Sequence, residues 1–82
     1  MDDVEIAREE RGGRGRYVIP VGEEAPEMSC RLDGGATLAI LHTGVPSHLG
    51  GRGLGQAMVR RAHADARREG RFVVPIPPSR RP

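Results

Sequence analysis

The stretch Gly50-Gly51-Arg52-Gly53-Leu54-Gly55-Gln56 offers the clearest chemistry in the chain. It follows an apolar run ending at Leu41 and opens a segment with helical periodicity. A glycine-rich turn between a strand and a helix is an anion site by construction. The first helical turn leaves about four N–H groups unpaired, and the helix dipole adds roughly half a positive charge there. Glycines remove the side chains that would keep a diphosphate from the backbone. The amides of Gly51, Arg52, Gly53, Leu54 and Gly55 are the converging donors in this reading, and Arg52 adds a guanidinium. Each charge-assisted hydrogen bond is worth ~1.5–3 kcal/mol. The alternative for residues 50–55 is a plain strand-to-helix connector. A Walker A loop is excluded, because Gln56-Ala57 stands where Lys and Ser/Thr are required. A dinucleotide loop fits poorly, since its third glycine would fall on Gln56 and no acidic residue ends a following strand.

The remaining reactive side chains are few. His42 follows the apolar run and is either a packed strand histidine or a general base. His48 lies in the loop and His63 on the helix, and both read as solvated. These histidines and Cys30 show no metal-ligand spacing, so no metal site is expected. Cys30 alternates with Met28 and Leu32 and reads as core rather than as a reactive thiol. Arg11-Gly-Gly-Arg14-Gly-Arg16 has the look of a single RGG box, but without interleaved aromatics it reads as a connector.

These groups must be positioned by one small domain, since the chain has 82 residues. All 13 basic residues are arginine, which removes Schiff-base and phosphate-loop lysine chemistry. The 11 acidic residues leave a formal net charge of only +2, so a nucleic-acid partner would need clustering on one face. No apolar run approaches the roughly 20 residues of a membrane helix. The acidic start, MDDVEIAREE, is no secretory signal. A lone cysteine fits a reducing compartment. Together these imply a soluble cytoplasmic protein that makes no membrane contact.

The pattern predicts a strand over Val4–Ala7, then a charged, flexible connector to Gly15. A second strand is read over Arg16–Val21, where Pro20 argues for a sheet edge or a strand end. Residues 27–32 alternate polar and apolar, and Asp33-Gly34-Gly35 supplies a tight turn. Residues 36–41 are apolar on both sides and read as a strand buried on two faces. Leu54, Met58, Ala62 and Ala66 sit four apart, which makes one helical stripe ending at Gly70. Phe72–Val74 reads as a short buried strand before a proline-rich tail. The expected fold is α+β (mixed α/β), an antiparallel β-meander followed by a β-α-β crossover, right-handed by the general rule.

In this order the motifs resemble the GNAT (N-acetyltransferase) superfamily, and in particular its minimal single-domain members. Their D-G-G hairpin, H-T-E-V-P strand end, G-R-G-I-G loop, alanine- and arginine-rich helix and V-V-P-L-C-P strand correspond to residues 33–35, 42–46, 51–55, the helix, and 73–78. The resemblance covers residues 16–78, preceded by the N-terminal strand and connector (1–15) and followed by a short tail (79–82).

It implies that Thr43, Gly44 and Val45 line the pantetheine arm of acetyl-CoA as co-substrate. It further implies that Gly50, Gly51, Arg52, Gly53, Leu54, Gly55 and Gln56 hold the phosphates, and that residues 73–76 form the far wall. His42 is then the candidate for deprotonating an amine, with water as the alternative. The arginine pairs 60/61 and 67/68 read as a solvated face, or as a site for the 3′-phosphate of CoA or for RNA.

The sequence departs from the pattern at Gly50 (Gln or Arg in the superfamily), Gly44 (acidic) and Pro77 (cysteine), and its tail reads as shortened. The resemblance therefore implies an N-acetyltransferase acting on a small-molecule or protein amine. A catalytically degenerate CoA-binding protein or truncated fragment is one alternative, and a small arginine-rich nucleic-acid binder is the other.

Overall fold

The structure is a computed structural model and describes residues 5–75. Its elements are β1 (Ala7–Arg11), β2 (Arg14–Val18), β3 (Glu27–Asp33), β4 (Thr37–Gly44), a single 3₁₀ turn (Ser47–Leu49), α1 (Leu54–Glu69) and β5 (Phe72–Pro75). The sheet order is β1-β2-β3-β4-β5. The first four strands are antiparallel neighbours, and β5 returns from α1 to pair parallel with β4. The meander and the helix-linked parallel pair match the expected class.

α1 forms where its stripe demands. Met58, Ala62 and Ala66 are buried against Tyr17, Ile19, Met28, Cys30 and Leu38 of the sheet. Cys30 is core, as its alternation implied, and burial pushes its thiol pKa up. The helix stops at Gly70, whose φ of 73° suits a residue without Cβ. The amide of Arg71 then donates to the Ala66 carbonyl and that of Gly70 to Arg67, which closes the end in a Schellman pattern. No helix among the described residues is long and apolar enough to cross a membrane.

The N-terminal expectation is corrected. Val4 lies outside the described residues, and the first strand is Ala7–Arg11. What reads as a connector is a two-residue turn. Arg11 pairs with Arg14 across Gly12 and Gly13, both at positive φ (54° and 82°). That conformation matches the natural twist of a hairpin and is open to consecutive glycines. β1 lacks apolar alternation because its side chains are held by charge. Glu9 and Glu27 both grip Arg16, at 3.0 and 2.9 Å, on one face. On the other face Arg8 reaches α1.

The burial of β4 and β5 is also corrected. Among the described residues one α-helix covers one face of the sheet and the other face is open. Leu38 is buried, but Leu41 and Val74 are each 40% exposed and Phe72 is 75% exposed.

Under the helix the sheet closes over a buried acid that the periodicity did not reveal. Asp65 is fully buried and accepts hydrogen bonds from Tyr17 Oη (2.7 Å), Arg8 (3.0 Å), Arg61 (3.2 Å) and Arg68 (2.6 Å). Burial alone would raise its pKa. The hydrogen bonds from Tyr17, Arg61 and Arg8 outweigh that and hold the carboxyl below the usual carboxylate range. Arg61 and Arg68 are thus structural ligands, not merely a solvated face. The cue in the sequence was Tyr17, the sole tyrosine, whose hydroxyl needs a partner once buried.

Candidate functional site

The site begins with an irregularity in β4. Its register against β3 runs Cys30↔Ile40, then jumps to Ser29↔His42. Leu41 is the extra residue of a β-bulge, which bends the strand and locally breaks the ladder. Pairing with β5 ends at Ile40↔Pro75, so among the described residues β4 runs on from Leu41 to Gly44 without a β5 partner. The strand bends there, just before the chain turns toward α1.

The loop that follows is built to keep its donors free. Pro46 starts the 3₁₀ turn, in which Leu49 donates to Pro46 O and Gly50 to Ser47 O. Gly51 and Gly53 then take positive φ values of 82° and 72°. A side chain would strain both positions. Gly53 is the N-cap of α1 and supplies no side-chain cap, and the first turn carries no acid. The helix ladder starts only with Ala57 donating to Gly53 O. Among the described residues the amides of residues 51–56 have no protein acceptor. They border a hollow of about 450 Å³ lined by Val45, Gly50, Gly51, Gly53, Leu54, Gly55 and Gln56, with Leu49.

Gly55 sets how close the helix comes to the strand. A Cβ there would stand 3.6 Å from a methyl of Thr43 and 3.6 Å from one of Val45. The helix N-terminus therefore sits directly against the end of β4, on the face that carries Thr43 and Val45.

The structure gathers most of the sequence-predicted binding residues at this hollow, but not all of them. Arg52 is exposed and outside its lining, and Thr43 and Gly44 also lie outside it. His42 lies on the other face of β4. It pairs across from Ser29, is exposed, and puts Nε2 3.3 Å from the position a Gly44 Cβ would take. The packed-histidine reading is thereby corrected, because among the described residues nothing covers that face. His48 and His63 are exposed, as their positions implied. Among the described residues no group of His, Cys, Asp and Glu is arranged to hold a metal ion.

Sequence reasoning missed one surface feature. Arg11, Arg14 and Arg31 stand side by side on the open face through the registers Arg11↔Arg14 and Arg14↔Arg31. The cue was a pair of arginines flanking Gly12-Gly13, legible only once that dipeptide is taken as a hairpin turn.

No curated protein matches the chain. A family model described as GCN5-related N-acetyl-transferase matches residues 16–78, a span that starts within β2 and leaves β1 ahead of it. It takes in the bulged strand, the glycine loop, α1 and β5 together, and on that match the chain belongs to the GCN5-related N-acetyltransferase family.

Proposed function

We propose that this protein binds acetyl-CoA and transfers its acetyl group to an amine. The observation that carries the reading is the run of amides at 51–56, left without protein acceptors beside a hollow that a diphosphate can enter. Such donors, fixed before the ligand arrives, cost no reorganisation on binding. In this reading an extended amide-bearing arm lies along the chain at Thr43, Gly44 and Val45, just past the bulge of β4. In the transfer the amine nitrogen attacks the thioester carbonyl carbon. A C–N bond forms, the C–S bond breaks with its electron pair going to sulfur, and the proton lost by the amine is balanced by the proton that makes the thiol. Juxtaposition alone can supply ~7–11 kcal/mol of the barrier.

His42 is the side chain nearest the bend that can take the amine proton. It is solvent-facing, so water competes with it. His42→Ala is expected to leave acetyl-CoA affinity unchanged and to slow transfer about tenfold, below the roughly 10²–10⁴-fold of an enclosed base. Steady-state rates with radiolabelled acetyl-CoA measure this, and a normal rate in the variant would remove His42 from the chemistry.

One observation favours a second reading, a CoA-binding protein with little catalysis. Gly44 itself brings no acidic side chain to His42, although a Cβ there would touch the imidazole. The two readings part on simple measurements. A titration should show saturable acetyl-CoA binding and a raised melting temperature that free acetate does not reproduce. Labelled acetyl transfer then distinguishes enzyme from binder. No binding at saturating ligand would end both. A cytoplasmic location belongs with this proposal.

A further inference from the structure

The open face of the sheet carries charge that the fold itself does not use. Arg11, Arg14 and Arg31 occupy one cross-strand row, continued by Ala39 and Val74. All three are exposed, and among the described residues none forms an ion pair. Directly opposed residues have Cβ atoms roughly 4.5–5.5 Å apart, and like charges so placed repel. The next row, Glu9↔Arg16↔Ser29↔His42, is different: Arg16 holds both Glu9 and Glu27, and neither carboxylate forms an ion pair with the arginine row.

Between the rows lies a cavity of about 610 Å³, lined by Arg11, Arg14, Arg16, the bulge residue Leu41 and two carboxylates, Glu9 and Glu10, which pair with Arg16 and Arg8. That volume suits a small molecule or a few peptide residues rather than a helix or a duplex. It reaches β4 at its bend, and His42 belongs to the row that crosses it.

Resting on the acetyl transfer proposed above, we propose that this cavity is the acceptor site, and that the acceptor is an amine carrying an anionic group, carboxylate or phosphate, held by Arg11 and Arg14 with Arg31 beside them. Planar guanidinium forks match both oxyanions with paired hydrogen bonds. A row that repels itself costs the free protein stability, and a bound anion offsets that repulsion. The amine of the same molecule then faces the bend of β4, past which the thioester lies in the reading proposed above.

The test uses the whole chain, with and without acetyl-CoA. Amide shifts are followed by NMR while glutamate, O-phosphoethanolamine or ethanolamine is added. Glutamate or O-phosphoethanolamine should move the resonances of residues 9–16 and 29–31, and whichever binds tighter identifies the oxyanion. Ethanolamine should not move them. The variant Arg11→Gln/Arg14→Gln/Arg31→Gln should lose about tenfold or more in anion affinity, the scale of one charged hydrogen bond. It should also melt at a higher temperature than the parent, whereas a structural role for the row predicts a lower one, and its acetyl-CoA affinity should be unchanged.

Two outcomes overturn the proposal: no anionic amine perturbs the row, or a single-stranded oligonucleotide binds it tightly with steep salt dependence. Because the shifts are read without acetyl-CoA as well, loss of the acetyl-transfer reading shows separately, as anion binding to the row with no acetyl-CoA isotherm.

Discussion

Replacing Asp65 with alanine is expected to destabilise the fold by about 3–5 kcal/mol, the scale for removing one member of a buried charged cluster. An 82-residue domain has roughly 4–12 kcal/mol to lose, so the variant should give up a large share of its stability. The reason lies in what the carboxylate leaves behind. Tyr17 is fully buried, and its hydroxyl would face a void with no acceptor. Arg8, only 15% exposed at its side chain, would keep Glu69 and Glu10 but lose its contact beneath the helix. Asp65→Asn keeps an acceptor oxygen for Tyr17 and gives up the charge, so it should cost less, about 1–3 kcal/mol. Urea unfolding followed by circular dichroism orders the parent and the two variants. A cost below about 1 kcal/mol for Asp65→Ala would mean that the cluster is not what joins β1 and β2 to the helix.

The same acid sets a pH dependence of defined sign. Its folded pKa lies below the ordinary value, through the hydrogen bonds that outweigh its burial. Glu69 is held low in the same direction, chiefly by its hydrogen bond from Arg8. A depressed carboxyl stabilises the fold above its unfolded pKa of about 4 and loses that contribution as pH falls further. The parent should therefore weaken steadily below about pH 4, and Asp65→Asn should show a flatter acid limb.

How far this arrangement could be read from residues alone depended on the range of the interactions. α1 was legible because Leu54, Met58, Ala62 and Ala66 mark a local period and Gly70 a local stop. The Asp33-Gly34-Gly35 turn was legible because glycine at positive φ is a local requirement. β1 was not. Its sequence, Ala-Arg-Glu-Glu-Arg, looks solvated, and the partners of Arg8 in the helix, Asp65 and Glu69, lie far along the chain. The apolarity of residues 36–41 showed a strand but not how many layers cover it, since that depends on how many helices the chain supplies. At the site, glycine spacing located the loop. Whether its amides stayed free could be judged only once the 3₁₀ turn and the start of the helix ladder were known.

Those free amides yield the largest expected functional effect. Gly51→Val/Gly53→Val should weaken acetyl-CoA binding by at least about 100-fold, equivalent to losing two charge-assisted hydrogen bonds at ~1.5–3 kcal/mol each. Both positions sit at positive φ, where a β-branched residue is strained, so the loop would turn its amides away from the hollow. A would-be Cβ at Gly51 meets nothing within 4 Å, and one at Gly53 meets only Gln56 Oε1 at 3.8 Å. The damage is therefore conformational rather than a clash, and it stays within the loop. The core residues Met58, Ala62 and Ala66 begin a turn further on, so the melting temperature should fall by only a few degrees. Gly55→Ala is the matched control. Gly55 is helical, its added methyl meets Thr43 and Val45 at ordinary contact distance, and alanine favours the helix. That variant should bind acetyl-CoA within a few-fold of the parent, because the donors keep their aim. Isothermal titration of the parent and both variants decides the matter. If the valine pair binds like the parent, the diphosphate is not held by these amides, and the hollow before α1 serves something else.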